Sequence, residues 1–364
     1  MTSVLVEGRS LRLPGHEITW AGHCPWTSGP CFGTEDGEIL VCRASTGDAL
    51  DVLPYHFSNE AVNGVAFWED FVGVSTRSDV VVARRGQTEP VIKAQEGAHG
   101  ILALHRGLFF APMGISGVLR IEPGASPGRR LAIERPSHGQ IIFYKLVALD
   151  DQGPGDLMAC ASRNDGLLSI RAVGDAALDI RGWASRHADF IDVCSIASDD
   201  APRAVAGLCL DGSLVLLRDL LAEEEPRTIR LAGISGTPYS ILSAGGNLLV
   251  LTSQMLISVP NLLPWFLGGG HSDGEPNYRF TSVQAVDAYL VSPSQVAIVL
   301  DDEVRLLDFP VASHAAESRA SNGRGVDQRL PNGPPLHTGW TEAGQRAEQI
   351  QQAWDRPTLT MQIA

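Results

Sequence analysis

Cys31-Phe32-Gly33-Thr34-Glu35-Asp36-Gly37-Glu38-Ile39-Leu40-Val41-Cys42-Arg43 decides the fold. Two short apolar runs flank the turn Asp36-Gly37, and that pattern specifies a tight β-hairpin, because Asp and Gly accept the backbone angles that reverse a chain. The same arrangement recurs at Ser78-Asp79, Ser116-Gly117, Asp165-Gly166, Asp211-Gly212, Gln254-Met255 and Asp301-Asp302. The turns lie roughly 44 residues apart, a period that marks a repeat architecture. After each turn comes a strand candidate: Glu38 to Arg43, Val80 to Arg84, Val118 to Ile121, Leu167 to Arg171, Ser213 to Arg218, Leu256 to Val259 and Val304 to Leu307.

Another apolar segment precedes each hairpin, as at Val62 to Phe67, Ile101 to Leu104, Ile141 to Val147 and Ile191 to Ile196. A fourth, more polar segment fits between units at Ala49 to Leu53, Val91 to Lys93, Arg130 to Ile133, Ala177 to Ile180, Thr228 to Leu231 and Tyr278 to Phe280. Strands packed between two sheets are apolar on both faces, whereas an outermost strand is half wet and tolerates charge. Four antiparallel strands per unit, seven units and almost no helical periodicity predict an all-β, seven-bladed β-propeller over residues 1–310. A ring of sheets must also close, and Ser3 to Leu13, with Val4, Val6, Leu11 and Leu13, is expected to complete blade seven.

The pattern stops at Val311. Residues 311–364 read as a Gly/Pro/Ser-rich arm, then a short amphipathic helix at about 341–355 with Ala343, Ala347, Ile350 and Trp354 on one stripe, then an extended end bearing Leu359, Met361 and Ile363. This tail is expected to dock, on its own propeller or on a partner.

The repeats resemble those of WD-repeat propellers. The likeness rests on period and turn chemistry, and on His16, His99, His138 and His187 before inner strands. The Trp-Asp pair that names those repeats is absent, and Arg43, Arg84, Arg171 and Arg218 stand near its place. Ala44 to Leu50, with Thr46-Gly47, also resembles the turn of quinoprotein repeats. The WD-repeat resemblance implies a protein–protein interaction scaffold or adaptor, of the kind found as subunits of bacterial signalling or defence assemblies.

Composition narrows the function further. The chain has 364 residues, 42 acidic and 28 basic, for a net charge of −14. Such a chain lacks the clustered Lys and Arg that drive binding to nucleic acid or anionic lipid, and Arg129-Arg130 with Arg135 is too small a patch. The N-terminus lacks a basic start followed by an apolar run, and no apolar stretch is long enough to span a membrane, so the reading expects a soluble, cytoplasmic protein. Four of the six cysteines, Cys42, Cys160, Cys194 and Cys209, sit in apolar runs and read as reduced core thiols.

No Gly-x-Ser-x-Gly elbow, phosphate-binding Gly-x-x-x-x-Gly-Lys loop or His-Glu-x-x-His pair occurs. His23, Cys24 and Cys31 match no zinc spacing, and Gly268-Gly269-Gly270 reads as a loop. The paired carboxylates, such as Asp150-Asp151, Asp199-Asp200 and Asp301-Asp302, fall in solvated turns. The histidines before inner strands are expected to bond the turn of their own blade, through Asp36, Asp165 or Asp211. The reading is therefore a non-enzyme without metal or cofactor. The alternative is a propeller enzyme or small-molecule sensor, marked by side chains from several blades converging on the central channel. Candidate partner-binding residues are Leu262, Leu263, Trp265, Phe266 and Leu267, an apolar insertion that either meets a partner or folds under its own blade, together with Ile350 and Trp354 of the tail.

Overall fold

The computed structural model describes residues 10–11, 13, 15–42, 50–56, 59–87, 89–114, 117–122, 130–131, 142–149, 156–162, 166–173, 177–182, 190–196, 201–222, 225–231, 233–259, 262, 266, 279–282, 285–300 and 303–309. After β1 (Ser10–Leu11), blade 1 holds β2 (Ile18–Cys24), β3 (Gly29–Thr34), β4 (Glu38–Cys42) and β5 (Leu50–His56). Blade 2 holds β6 (Gly64–Trp68), β7 (Phe71–Ser75), β8 (Val80–Arg84) and β9 (Pro90–Ala94). Blade 3 holds β10 (Ala98–Leu104), β11 (Gly107–Pro112), β12 (Val118–Ile121) and β13 (Arg130–Leu131). Blade 4 holds β14 (Phe143–Leu149), β15 (Asp156–Ser162), β16 (Gly166–Val173) and β17 (Ala177–Gly182). Blade 5 holds β18 (Phe190–Ser195), β19 (Val205–Cys209), β20 (Ser213–Leu217) and β21 (Arg227–Arg230). Blade 6 holds β22 (Pro238–Ala244), β23 (Asn247–Thr252), β24 (Met255–Val259) and β25 (Arg279–Ser282). Blade 7 holds β26 (Asp287–Ser292), β27 (Gln295–Val299) and β28 (Val304–Asp308).

Each blade is a four-stranded antiparallel sheet, and β1 supplies the fourth strand of blade 7. Ser10 lies opposite Arg305 and Leu11 opposite Val304, so the N-terminal segment closes the last blade as the sequence predicts. Residues 3–9 of that expected strand lie outside the described residues. The first strand of each blade touches the first strand of the next, and β26 returns to β2. The seven sheets therefore form a closed ring around a central channel.

The core follows the same geometry. Seven hydrophobic clusters fill the seven gaps between neighbouring blades. In β8, for example, Val81 and Ala83 pack toward blade 1 with Ile39 and Val72, while Val80 and Val82 pack toward blade 3 with Leu108 and Phe110. Alternate residues of one strand thus enter two different cores, which is why strands after the turns read as unbroken apolar runs. The outer strands are wetter: β9 carries exposed Val91 and Lys93, and β21 exposed Thr228 and Arg230.

Gly37 and Gly212 close two of the hairpin turns with φ of 84° and 80°. Their amides bond the carbonyls of Thr34 and Cys209, three residues back, and this left-handed backbone suits glycine because other residues carry a Cβ that clashes there.

Two positions of the apolar insertion face inward, the second of the two alternatives that the sequence left open. Leu262 and Phe266 are 2% and 5% exposed and belong to the core between blades 5 and 6, with Leu216, Ile229 and Ile257. The Arg227 guanidinium lies over the Phe266 ring, 5.7 Å from its centre. Burying these chains against their own blades removes more apolar surface from water than leaving them on the rim. Leu263, Trp265 and Leu267, the quinoprotein-like turn at residues 44–49, and the whole tail with Ile350 and Trp354 lie outside the described residues. Among the described residues no helix is long and apolar enough to cross a membrane.

Candidate functional site

Five first strands carry a β-bulge after their opening residue, at Ile18/Trp20, Ala98/Gly100, Phe143/Lys145, Phe190/Asp192 and Pro238/Ser240. A bulge re-aims the side chains beside it. The bulged residues reach sideways: the Tyr144 hydroxyl donates to the Phe190 carbonyl of blade 5, and the Tyr239 hydroxyl donates to the Ala285 carbonyl, 2.6 Å away, at the entry to blade 7. Tyr289 donates to the Thr19 carbonyl, and the Thr19 hydroxyl donates to the Val62 carbonyl at 2.9 Å. Asn63 then donates to the Ala98 carbonyl at 3.3 Å. These side chains stitch one blade to the next.

The residues after three of the bulges converge. The Lys145 ammonium of blade 4 lies 3.0 Å from Asp192 Oδ1 of blade 5. Asp192 Oδ1 also accepts the Val193 amide at 2.9 Å, while Oδ2 accepts the Ser240 hydroxyl at 3.2 Å and the Ile241 amide at 2.9 Å, both from blade 6. A carboxylate offers about four acceptor positions, and here all are occupied. On blade 7, the Asp287 carboxylate accepts the Ala288 amide at 2.7 Å.

The charges of these groups act on one another. Lys145 and Asp287 feel each other's charge although blades 5 and 6 separate their strands in the ring. Burial works against the Lys145 charge, but the Asp192 carboxylate and then Asp287 more than offset it, holding the ammonium above its usual range. Burial pushes the Asp287 carboxyl up to about 6; the bond from the Ala288 amide opposes the rise, and the Asp192 charge adds to it. Burial and the Asp192 charge push the Cys194 thiol up, which makes it an inert thiol. Burial also raises the Tyr239 hydroxyl, with Asp287 adding to it.

This cluster is absent from the candidate residues named from sequence. The signal for it was a charge inside an apolar inner strand: Lys145, one of two lysines in the chain, within Ile141 to Val147, and Asp192 within Ile191 to Ile196. Such charges are rarely buried unless paired.

The other sequence candidates are placed as follows. His16 Nδ1 approaches Glu38 Oε2 of its own blade at 3.5 Å, too long for a strong hydrogen bond, and Glu38 rather than Asp36 is its neighbour. His138 and His187 lie outside the described residues. His23 is exposed, whereas Cys24 and Cys31 are fully buried, so the three do not converge. Among the described residues no group of three His, Cys, Asp or Glu side chains is placed to hold a metal. Asp211 accepts the amide and hydroxyl of Ser213 at 2.9 Å each.

Seven four-stranded blades around a channel invite comparison with solved propellers. The chain is similar to the WD40 β-propeller domain of Doa1, with a TM-score of 0.60 and 12% identity, over 84% of this chain and 97% of that one. The fold is that of a WD-repeat-like propeller. A second similar structure is the β-propeller domain of Cps50 (Swd1) from Myceliophteria thermophila, with a TM-score of 0.59 and 10% identity, over 82% of this chain and 98% of that one. At these identities the WD-repeat likeness is one of fold. No protein-family model and no curated protein matches the sequence.

Proposed function

We propose that the protein is a non-catalytic scaffold for other proteins, acting in the cytoplasm as a subunit of a multi-protein assembly. The observation that carries this reading is the saturation of Asp192. A general base or metal ligand needs a free acceptor, and every acceptor position of this carboxylate is engaged by blades 4, 5 and 6. The hub charges therefore act as a lock that makes the ring rigid. A rigid ring holds many loops in fixed positions, and large surfaces presented that way suit binding more than turnover. The WD40-type fold of the similar structures adds to the reading by analogy. In this proposal Ile350 and Trp354, with Leu263, Trp265 and Leu267, contribute apolar contacts to a partner.

The test is affinity purification of the full chain beside a version truncated after Pro310, followed by mass determination of any complex. A stoichiometric companion retained by the full chain and lost on truncation supports the scaffold and locates its handle. A second reading, a small-molecule sensor using the channel, draws on Asp287, whose carboxylate is less fully engaged than that of Asp192. Absence of a companion with either version, together with a small ligand carried by the purified protein, overturns the first reading in favour of the second.

A further inference from the structure

We propose that His16 and Glu38 are a pH-sensitive clasp on the closure of the ring: when the imidazole takes up a proton, the pair draws together and holds the N-terminal strand on blade 7. This goes beyond the scaffold reading and does not rest on it. Among the described residues β1 meets β28 through Ser10 and Leu11, and the Ser10 hydroxyl donates to Glu303 Oε2 at 2.6 Å. Leu11 and Leu13 enter the core between blades 7 and 1, beside Ile18 and Phe32 of blade 1 and Val299 and Val304 of blade 7. Between Leu13 and Ile18 the chain turns into blade 1. Gly15, with φ of 82°, and the His16 amide, which donates to the Leu13 carbonyl at 3.1 Å, make that elbow.

The His16 side chain sits at the elbow with its bonding incomplete. It is 32% exposed, so protons reach it from water, yet its Nδ1 is buried and makes no hydrogen bond. Buried polar atoms are nearly always bonded, and the group beside this one is Glu38 Oε2, at the start of β4 and 3.5 Å away. With its proton on Nε2, a neutral ring presents Nδ1 as an acceptor facing an acceptor, which keeps the two atoms apart. A protonated ring makes Nδ1 a charged donor, and such donors approach carboxylates to about 2.7–2.9 Å. A shift of less than about 1 Å then closes the gap and ties the elbow to the hairpin of blade 1.

The charged groups that the backbone brings to this corner are acidic. Glu17 follows His16 in the chain, the Glu35 amide donates to the Glu17 carbonyl at 2.9 Å, and Asp36 occupies the turn before Glu38. His56, opposite Glu38 in the register of β4 and β5, is a further titratable residue. Imidazoles take up protons between about pH 8 and pH 5, while carboxylates stay charged down to about pH 4. The clasp is therefore made at about pH 6, lost as pH rises to about 8, and lost again near pH 4, where Glu38 is neutralised.

The test is hydrogen–deuterium exchange of the full chain, read by mass spectrometry and corrected for the intrinsic pH dependence of amide exchange. Peptides covering residues 10–18 and 303–309 should be about two- to fivefold better protected at pH 6 than at pH 8, the range for a partly exposed ion pair, while a peptide covering β8 should not change. His16→Gln and Glu38→Gln should each keep the closing strand at its pH 8 level at both values, and His16→Arg should keep it at its pH 6 level at both. Asp36→Asn should leave the response in place. Equal protection of the wild-type closing strand at pH 6 and pH 8 overturns the proposal, and so does a response that survives in His16→Gln or Glu38→Gln. If Asp36→Asn abolishes the response as fully as Glu38→Gln, the field of the whole corner carries it and the clasp is overturned.

Discussion

The two sides of the ring solve one problem with different chemistry. Between blades 1, 2 and 3 the links are neutral: Thr19 to the Val62 carbonyl, Asn63 to the Ala98 carbonyl, and the indoles of Trp26 and Trp68 to the carbonyls of Glu69 and His105 at 3.1 and 3.3 Å. At the junctions from blade 3 to blade 6 carboxylates join in, beside a neutral link such as that of Tyr144. Asp156 of blade 4 accepts the His105 and Arg106 amides of blade 3 at 3.1 and 2.9 Å, and Asp192 ties blades 4, 5 and 6 together. A neutral donor lost from a junction leaves one carbonyl without its bond. A carboxylate lost from a junction leaves several donors unmatched, and near Asp192 it leaves an ammonium as well. The charged side should therefore be the more fragile to single substitutions, although both sides bury similar apolar cores.

The largest expected effect tests that contrast directly. Asp192→Ala should destabilise the protein by about 3 kcal/mol in denaturant titration, because it strands the Lys145 ammonium and the Ser240 and Ile241 donors together. Lys145 keeps some water contact, its side chain being 40% exposed, which holds the cost near the lower end for broken ion pairs. Combining Asp192→Leu with Lys145→Met should recover much of the loss. If the single change costs no more than a neutral-side substitution, the contrast fails.

Asp287 should move stability the other way. Its carboxyl stands at about 6 in the folded chain against an ordinary value of 3.8, so the folded state binds the proton more tightly than the unfolded state. Stability then falls as pH rises from about 4 to about 6 and is level above that. Asp287→Asn removes the cost of the buried charge and should raise stability at pH 7 by about 2 kcal/mol while flattening the profile between pH 4 and 6. Melting temperatures across that range check both features, and an unchanged slope in the variant would place the pH dependence elsewhere.

On the neutral side Trp68→Phe keeps an aromatic ring but deletes the N–H bonded to the His105 carbonyl, for an expected loss of about 1 kcal/mol. Thr19→Val should cost about 1 kcal/mol or less, since it keeps the side chain's shape and loses one bond to the Val62 carbonyl. Equilibrium unfolding of both variants beside Asp192→Ala ranks the junctions.

Legibility in the sequence followed the same physics. The strands after the turns were readable nearly to the residue, β8 and β12 ending where the apolar runs Val80 to Arg84 and Val118 to Ile121 end, because both faces of those strands enter a core. The first strands were readable as runs but not at their edges. Val62 and Asn63 continue an apolar pattern, yet β6 starts at Gly64, since those two residues serve the neighbouring blades. The apolar insertion shows the reverse difficulty: Leu262 and Phe266 read equally well as a surface or as core, and only the gap between blades 5 and 6 assigns them inward. Lys145, Asp192 and Asp287 lie 47 and 95 residues apart along the chain, and no spacing rule connects them.

By itself the sequence determined the repeat, its seven copies, the hairpin turns and the closure by the N-terminal strand, all of them consequences of local alternation and turn chemistry within a few residues. Tertiary structure alone decided which charges from separate blades meet and which inner-strand residues reach across to the next blade. The reason is that ring closure brings together residues from separate repeats, and the interactions they make depend on bulges and burial rather than on any pattern a single repeat can carry.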